Sequence, residues 1–189
     1  MSGSRRPTAA LGLIGLVTLT LGTGVAASAP AQALSLATIS CTGWTYTTYS
    51  PGLTNTVQPT TVVDQGRLNV TGPHSPTGSC IAVGSGATSG TRDVTAKLNL
   101  SCNAILTESG VETIKWNDGQ STSFSFTATA AHEGSNTVLT ETGQVTSGEF
   151  YQQHVVETFT APNLSFTDCA TATGVTSLDY ATVLTIAPV

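Results

Sequence analysis

Alternation with period two dominates this chain and restricts it to β structure. The clearest stretch runs from Thr91 to Cys102, where Val94, Ala96, Leu98, Leu100 and Cys102 share one face. Asp93, Thr95, Lys97, Asn99 and Ser101 share the other. A strand of that kind buries one side and wets the other, as antiparallel sheets allow. No long segment repeats with helical period. Ile114 and Trp116 point together, Asn117-Asp118-Gly119 intervenes, and Phe124, Phe126, Ala128 and Ala130 resume the phase. Asp-Gly between alternating runs is a hairpin signal, because both residues tolerate positive φ. Further hairpins are expected at Glu133-Gly134-Ser135-Asn136 and at Ser147-Gly148, the latter joining Val138–Val145 to Phe150–Thr160. Leu178, Tyr180, Leu184 and Ile186 mark the last strand.

Before the first of these, Ile39–Tyr49, Thr54–Val63 and Arg67–Thr71 read as strands separated by Pro51-Gly52 and Gln65-Gly66. Gly72 to Gly90 is loop, interrupted by a short strand at Cys80–Val83. About ten strands joined by short turns close into an antiparallel β-sandwich or a barrel. The expected fold is therefore all-β, in one domain.

The compartment is read from the first 33 residues. Arg5 and Arg6 precede an apolar run from Ala9 to Val25, and Ala31-Gln32-Ala33 supplies an A-x-A cleavage site. This is the pattern of a secretory signal peptide, and the run is too short for a transmembrane helix. The expected organisation is a signal peptide at 1–33 and a secreted domain at 34–189. No lipid anchor or sorting tail is expected, and no membrane insertion after cleavage. About 150 residues suffice for a single core.

Export makes the cysteines legible. Cys41, Cys80, Cys102 and Cys169 form an even set, which implies two disulfides in an oxidising compartment. The favoured pairing is Cys80–Cys102 with Cys41–Cys169. No Cys/His spacing indicates zinc.

Charge removes several functions. Beyond the signal only Arg67, Arg92, Lys97 and Lys115 are basic, against eleven acidic residues. Nucleic-acid binding needs a basic stripe, so it is excluded, and anionic membrane surfaces are disfavoured.

The motifs that remain are turn and strand signatures. Tyr49-Ser50-Pro51-Gly52-Leu53, Trp116-Asn117-Asp118-Gly119 and Gly143-Gln144-Val145-Thr146-Ser147-Gly148-Glu149-Phe150 follow an A-x-A signal in that order. In these the chain resembles a group of small secreted β proteins of actinobacteria. The resemblance implies a secreted β fold and no particular site. The Thr-, Ala- and Gly-rich makeup with four cysteines is also similar to that of the Ig-like carrier proteins of enediyne antibiotics, in composition alone.

Catalytic patterns are missing: there is no G-x-S-x-G elbow, no H-E-x-x-H and no phosphate-cradling loop. His74, His132 and His154 read as surface imidazoles, and no metal or cofactor is expected. Asn117 and Asp118 are explained by turn geometry, since two adjacent residues supply too few oxygens for calcium. The aromatic pair Trp44 and Tyr46 is the candidate binding site, as two rings on one face of the first strand can stack on a sugar. The competing reading puts them in the core. Ile39 and Cys41 lie on the opposite phase, so that reading needs the strand to change faces, by a bulge at Gly43. Trp116 reads as core.

The expected function is that of a non-catalytic binding module, extracellular or cell-wall-associated, for polysaccharide or another secreted protein. A protease inhibitor presenting Gly72–Gly90, or a carrier of a small apolar ligand, are the alternatives. Oligomeric state is not specified.

Overall fold

The computed structural model describes residues 36–102, 109–162 and 166–188. The signal-peptide reading falls on residues outside these. Nine strands are seen: β1 (Thr38–Leu53), β2 (Gln58–Leu68), β3 (Cys80–Val83), β4 (Gly90–Leu100), β5 (Ser109–Trp116), β6 (Ser121–Glu133), β7 (Asn136–Gly148), β8 (His154–Pro162) and β9 (Val175–Ala187). One helical turn, α1 (Phe166–Cys169), precedes β9.

Eight of the strands form a closed antiparallel barrel in the order β1-β2-β4-β5-β6-β7-β8-β9 and back to β1. β9 pairs with one edge of β1 over Ile39–Leu53. The other edge is shared, β2 taking Gly43–Ser50 and β3 taking Thr38–Cys41. The barrel thus resolves the choice between sandwich and closed sheet.

Nine strands replace the ten expected because β2 runs unbroken through Gln65-Gly66. Its pairing with β4 is continuous from Gln58↔Leu100 to Leu68↔Gly90. Gly66 is there for space, not for a turn. A Cβ on it would lie 3.1 Å from Arg92 Nε, so the missing side chain makes room for an inward guanidinium. The hairpins at Gly119 and Gly134 form as expected, each with positive φ at the glycine. The third is longer than a tight turn. β7 ends at Gly148 and β8 begins at His154, so Phe150 lies in the intervening loop, where it is fully buried against Trp116.

The disulfides correct the expected pairing. Cys41 bonds Cys80 and Cys102 bonds Cys169, instead of Cys80–Cys102 and Cys41–Cys169. The cause is the position of β3: it sets Cys80 directly opposite Cys41 across the β1–β3 pair.

The interior has three apolar clusters. One end is filled by Ile39, Ile114, Phe124, Phe150, Leu184 and their neighbours. Towards the other end lie Tyr49, Leu53, Val62 and Leu100 with the Cys102–Cys169 bridge, and beside them Leu139, Phe159 and Tyr180. One wall is incompletely zipped. Among the described residues β4 and β5 pair only at Gly90↔Trp116 and Thr91↔Lys115. Beyond those pairs Val94, Ala96 and Leu98 face inward as expected but stay half-buried.

Candidate functional site: a polar belt inside the barrel

Between the end clusters the inward positions turn polar on strand after strand. The period-two rule that places Ile114 and Trp116 inside also places Glu112 inside. In the same way Glu157 shares a face with Val155 and Phe159, Glu141 with Leu139 and Val145, and Asp64 with Val62 and Leu68. Arg92 lies in phase with Gly90 and Val94, and Thr45, Thr47 and Thr182 complete the level.

Arg92 is the hub. Its Nη1 donates to Glu112 Oε2 and to Glu157 Oε2, both at 2.6 Å. Its Nη2 donates to Thr45 Oγ1 at 3.1 Å, and its guanidinium lies 4.8 Å above the Phe159 ring. The Thr45 and Thr182 hydroxyls in turn hydrogen-bond each other at 2.9 Å. Thr47 donates to Asp64, and the Tyr49 and Tyr180 hydroxyls meet at 3.1 Å. The Arg92–Glu112 pair also bridges β4 and β5 just where their backbone pairing stops.

One guanidinium faces four carboxylates. Glu141 has no cationic contact within ion-pair distance, and its Oε2 is buried with no hydrogen-bond partner among the described residues. Arg92 Nε is likewise buried and unsatisfied. Burial, with repulsion from Glu112 and Glu157, pushes the Glu141 carboxyl up to about 9. Burial pushes Glu157 up to about 7, because it outweighs the attraction of Arg92. Glu112 and Asp64 are raised too, burial being the main cause in each. Burial alone would favour neutral Arg92, but Glu112, Glu157 and Glu141 together reverse this and hold it charged.

A cavity of about 50 Å³ opens among these groups, lined by Asp64, Arg92, Glu112 and Glu141, the tyrosines Tyr49 and Tyr180, and apolar Val62, Leu139 and Phe159. Oxygen atoms of Glu112, Glu141 and Glu157 lie within 4.8 Å of one another around the belt.

The residues singled out from sequence lie elsewhere. Trp44 and Tyr46 are on the outer face of β1, and no face change occurs at Gly43: the pairing of β1 with β9 keeps its register from Ile39 to Thr48. The loop after β2 covers the pair. A Cβ on Gly72 would come within 2.5 Å of the Trp44 ring, and the ring is buried although it lies outside the barrel. His74 stacks on Tyr46 at 4.2 Å between centroids, contacts Trp44 at 4.9 Å and pairs with Asp179. The aromatic faces proposed for a sugar are occupied by the chain's own imidazole. His154 begins β8 and lines an open groove of about 820 Å³ with Val111, Phe126 and Gln144. The side chain of His132 lies outside the described residues. Asn117 Oδ1 accepts from the Thr88 and Ser89 amides and so pins the segment before β4, while Asp118 Oδ1 accepts from the Gln120 amide within its own turn.

The belt was missed although a signal for it exists. Each inward carboxylate sits on the apolar phase of its strand, which amphipathic strands avoid unless the charge is paired or functional.

No protein-family model, curated protein or solved structure matches this chain.

Proposed function

We propose that this chain is an exported, non-catalytic binding module, and that the polar belt holds its ligand inside the barrel. The observation that carries the reading is the Glu141 carboxylate, buried without a partner at the wall of a cavity whose other carboxylates outnumber its one cation. Alone, this carboxyl meets the cost of burial by holding its proton, and a cationic group from outside would favour the ionised form and pair with it. Glu112 and Arg92 lie beside the β4–β5 seam, where, among the described residues, the barrel wall is least held by backbone pairing. Two disulfides accord with an oxidising, extracellular setting. A cavity this small and charged disfavours an apolar cargo, since carrier sites are larger and mainly apolar.

The test is thermal unfolding of the oxidised protein with a panel of ligands: methylammonium and metal cations, neutral sugars, and fatty acids. Cations are expected to raise the melting temperature, and Glu141→Gln to abolish the effect. Stabilisation by neutral sugars alone, or depletion onto insoluble polysaccharide that Trp44→Ala with Tyr46→Ala abolishes, would replace this reading with glycan binding on the outer face of β1.

A further inference from the structure

We propose that Glu112, Glu141 and Glu157 form a site for one hard divalent cation of the calcium class. The inference rests on the belt being the binding site and names what it takes. Carboxylate oxygens from the three residues lie within 4.8 Å of one another. An ion centred among oxygens no more than 4.8 Å apart lies at most 4.8/√3, about 2.8 Å, from each, so a small inward shift brings all three to the roughly 2.3–2.6 Å at which calcium binds oxygen. The adjoining cavity of about 50 Å³ accommodates an ion with companion waters, each of which needs about 10–15 Å³ on the same measure.

A cluster of carboxylates alone would not indicate a ligand. The second observation is Glu141 itself: it lines the cavity, is 5% exposed, and its Oε2 is buried and unpartnered among the described residues. The other two ligands are held in place. Arg92 engages one oxygen of Glu112 and one of Glu157, and each carboxylate has a second oxygen to offer. The donors are all oxygens, and the four cysteines are in disulfides, so hard cations are selected over thiophilic ones. Asp64, Glu112 and Glu141 line the cavity and Glu157 belongs to the oxygen cluster beside it, so acidic groups outnumber the one cation, Arg92.

The experiment is calorimetric titration and native mass spectrometry of the oxidised protein at pH 8 with calcium, magnesium and methylammonium, on wild type, Glu141→Gln and Glu133→Gln. Glu133 is the exposed last residue of β6 and serves as the control. The expected result is one calcium per chain, with affinity lowered at least tenfold in Glu141→Gln and unchanged in Glu133→Gln. A measurement that needs no variant is terbium luminescence sensitised by Tyr49 and Tyr180, which line the cavity. Calcium is expected to quench it by displacement. Absence of calcium binding up to about 10 mM, beyond the weak end of extracellular sites, overturns the proposal. So does calcium binding that Glu141→Gln leaves intact. If methylammonium binds and calcium does not, the divalent site falls and the belt reading stands; if neither binds, both fall.

Discussion

Arg92 shows how one side chain organises an interior. It is 4% exposed and satisfies two buried carboxylates at once, so its removal leaves Glu112 and Glu157 without their cation. Breaking a buried ion pair from one side costs about 3–5 kcal/mol, because an uncompensated charge remains. Arg92→Leu is therefore expected to lower the unfolding free energy by that amount, measured by urea denaturation at pH 8. A loss below about 1 kcal/mol would mean that Arg92 contributes nothing net. Gly43 is a second single-residue constraint. A Cβ there would lie 2.0 Å from the Arg67 carbonyl oxygen, on backbone that cannot swing away. Gly43→Ala is expected to cost about 1–3 kcal/mol or more, as overpacking does, and to shift the β1–β2 amide signals in NMR spectra.

Elements were legible where the information was local. The Asn117-Asp118-Gly119 and Gly134-Ser135 turns are set by residues that adopt positive φ, and the strands around them follow from alternation. Gly66 misled because a glycine required by a distant Arg92 looks, in one dimension, like a glycine required by a turn. Phe150 misled because its apolar character is spent plugging the barrel end from a loop. The disulfides were hidden for a related reason. Cys41 and Cys80 meet only because β3 adds to the free edge of β1, and strand order is a non-local property. The belt lies between these cases. Each inward carboxylate is visible on its own strand, but that Glu112, Glu141 and Glu157 converge follows only from closure. At this scale the pairing makes its own prediction. Replacing Cys102 and Cys169 together by Ser opens a cross-link spanning 67 residues and is expected to cost about 4 kcal/mol in the loop-entropy account. Peptide mapping without reduction should then recover Cys41 joined to Cys80. Recovery of Cys80 joined to Cys102 in the wild type would contradict the strand order.

For the molecule as a whole, the belt couples folding to protons. Glu141 titrates at an ordinary 4.5 when unfolded and about 9 when folded, and Glu157 at 4.5 and about 7. The folded barrel thus holds its protons more tightly than the unfolded chain. Their stabilising contribution is complete below pH 4.5 and is lost as the pH rises through 7 and then 9. The slope for one such group reaches about 1.4 kcal/mol per pH unit. The most direct measurement is the melting temperature from pH 4.5 to 9, in chelator, for wild type and Glu141→Gln. The wild type should lose stability steadily over that range, while Glu141→Gln should melt higher at pH 9 and show a flatter profile. Coincident profiles, or a wild type whose stability rises with pH, would contradict a buried excess of carboxylates at the centre of the barrel.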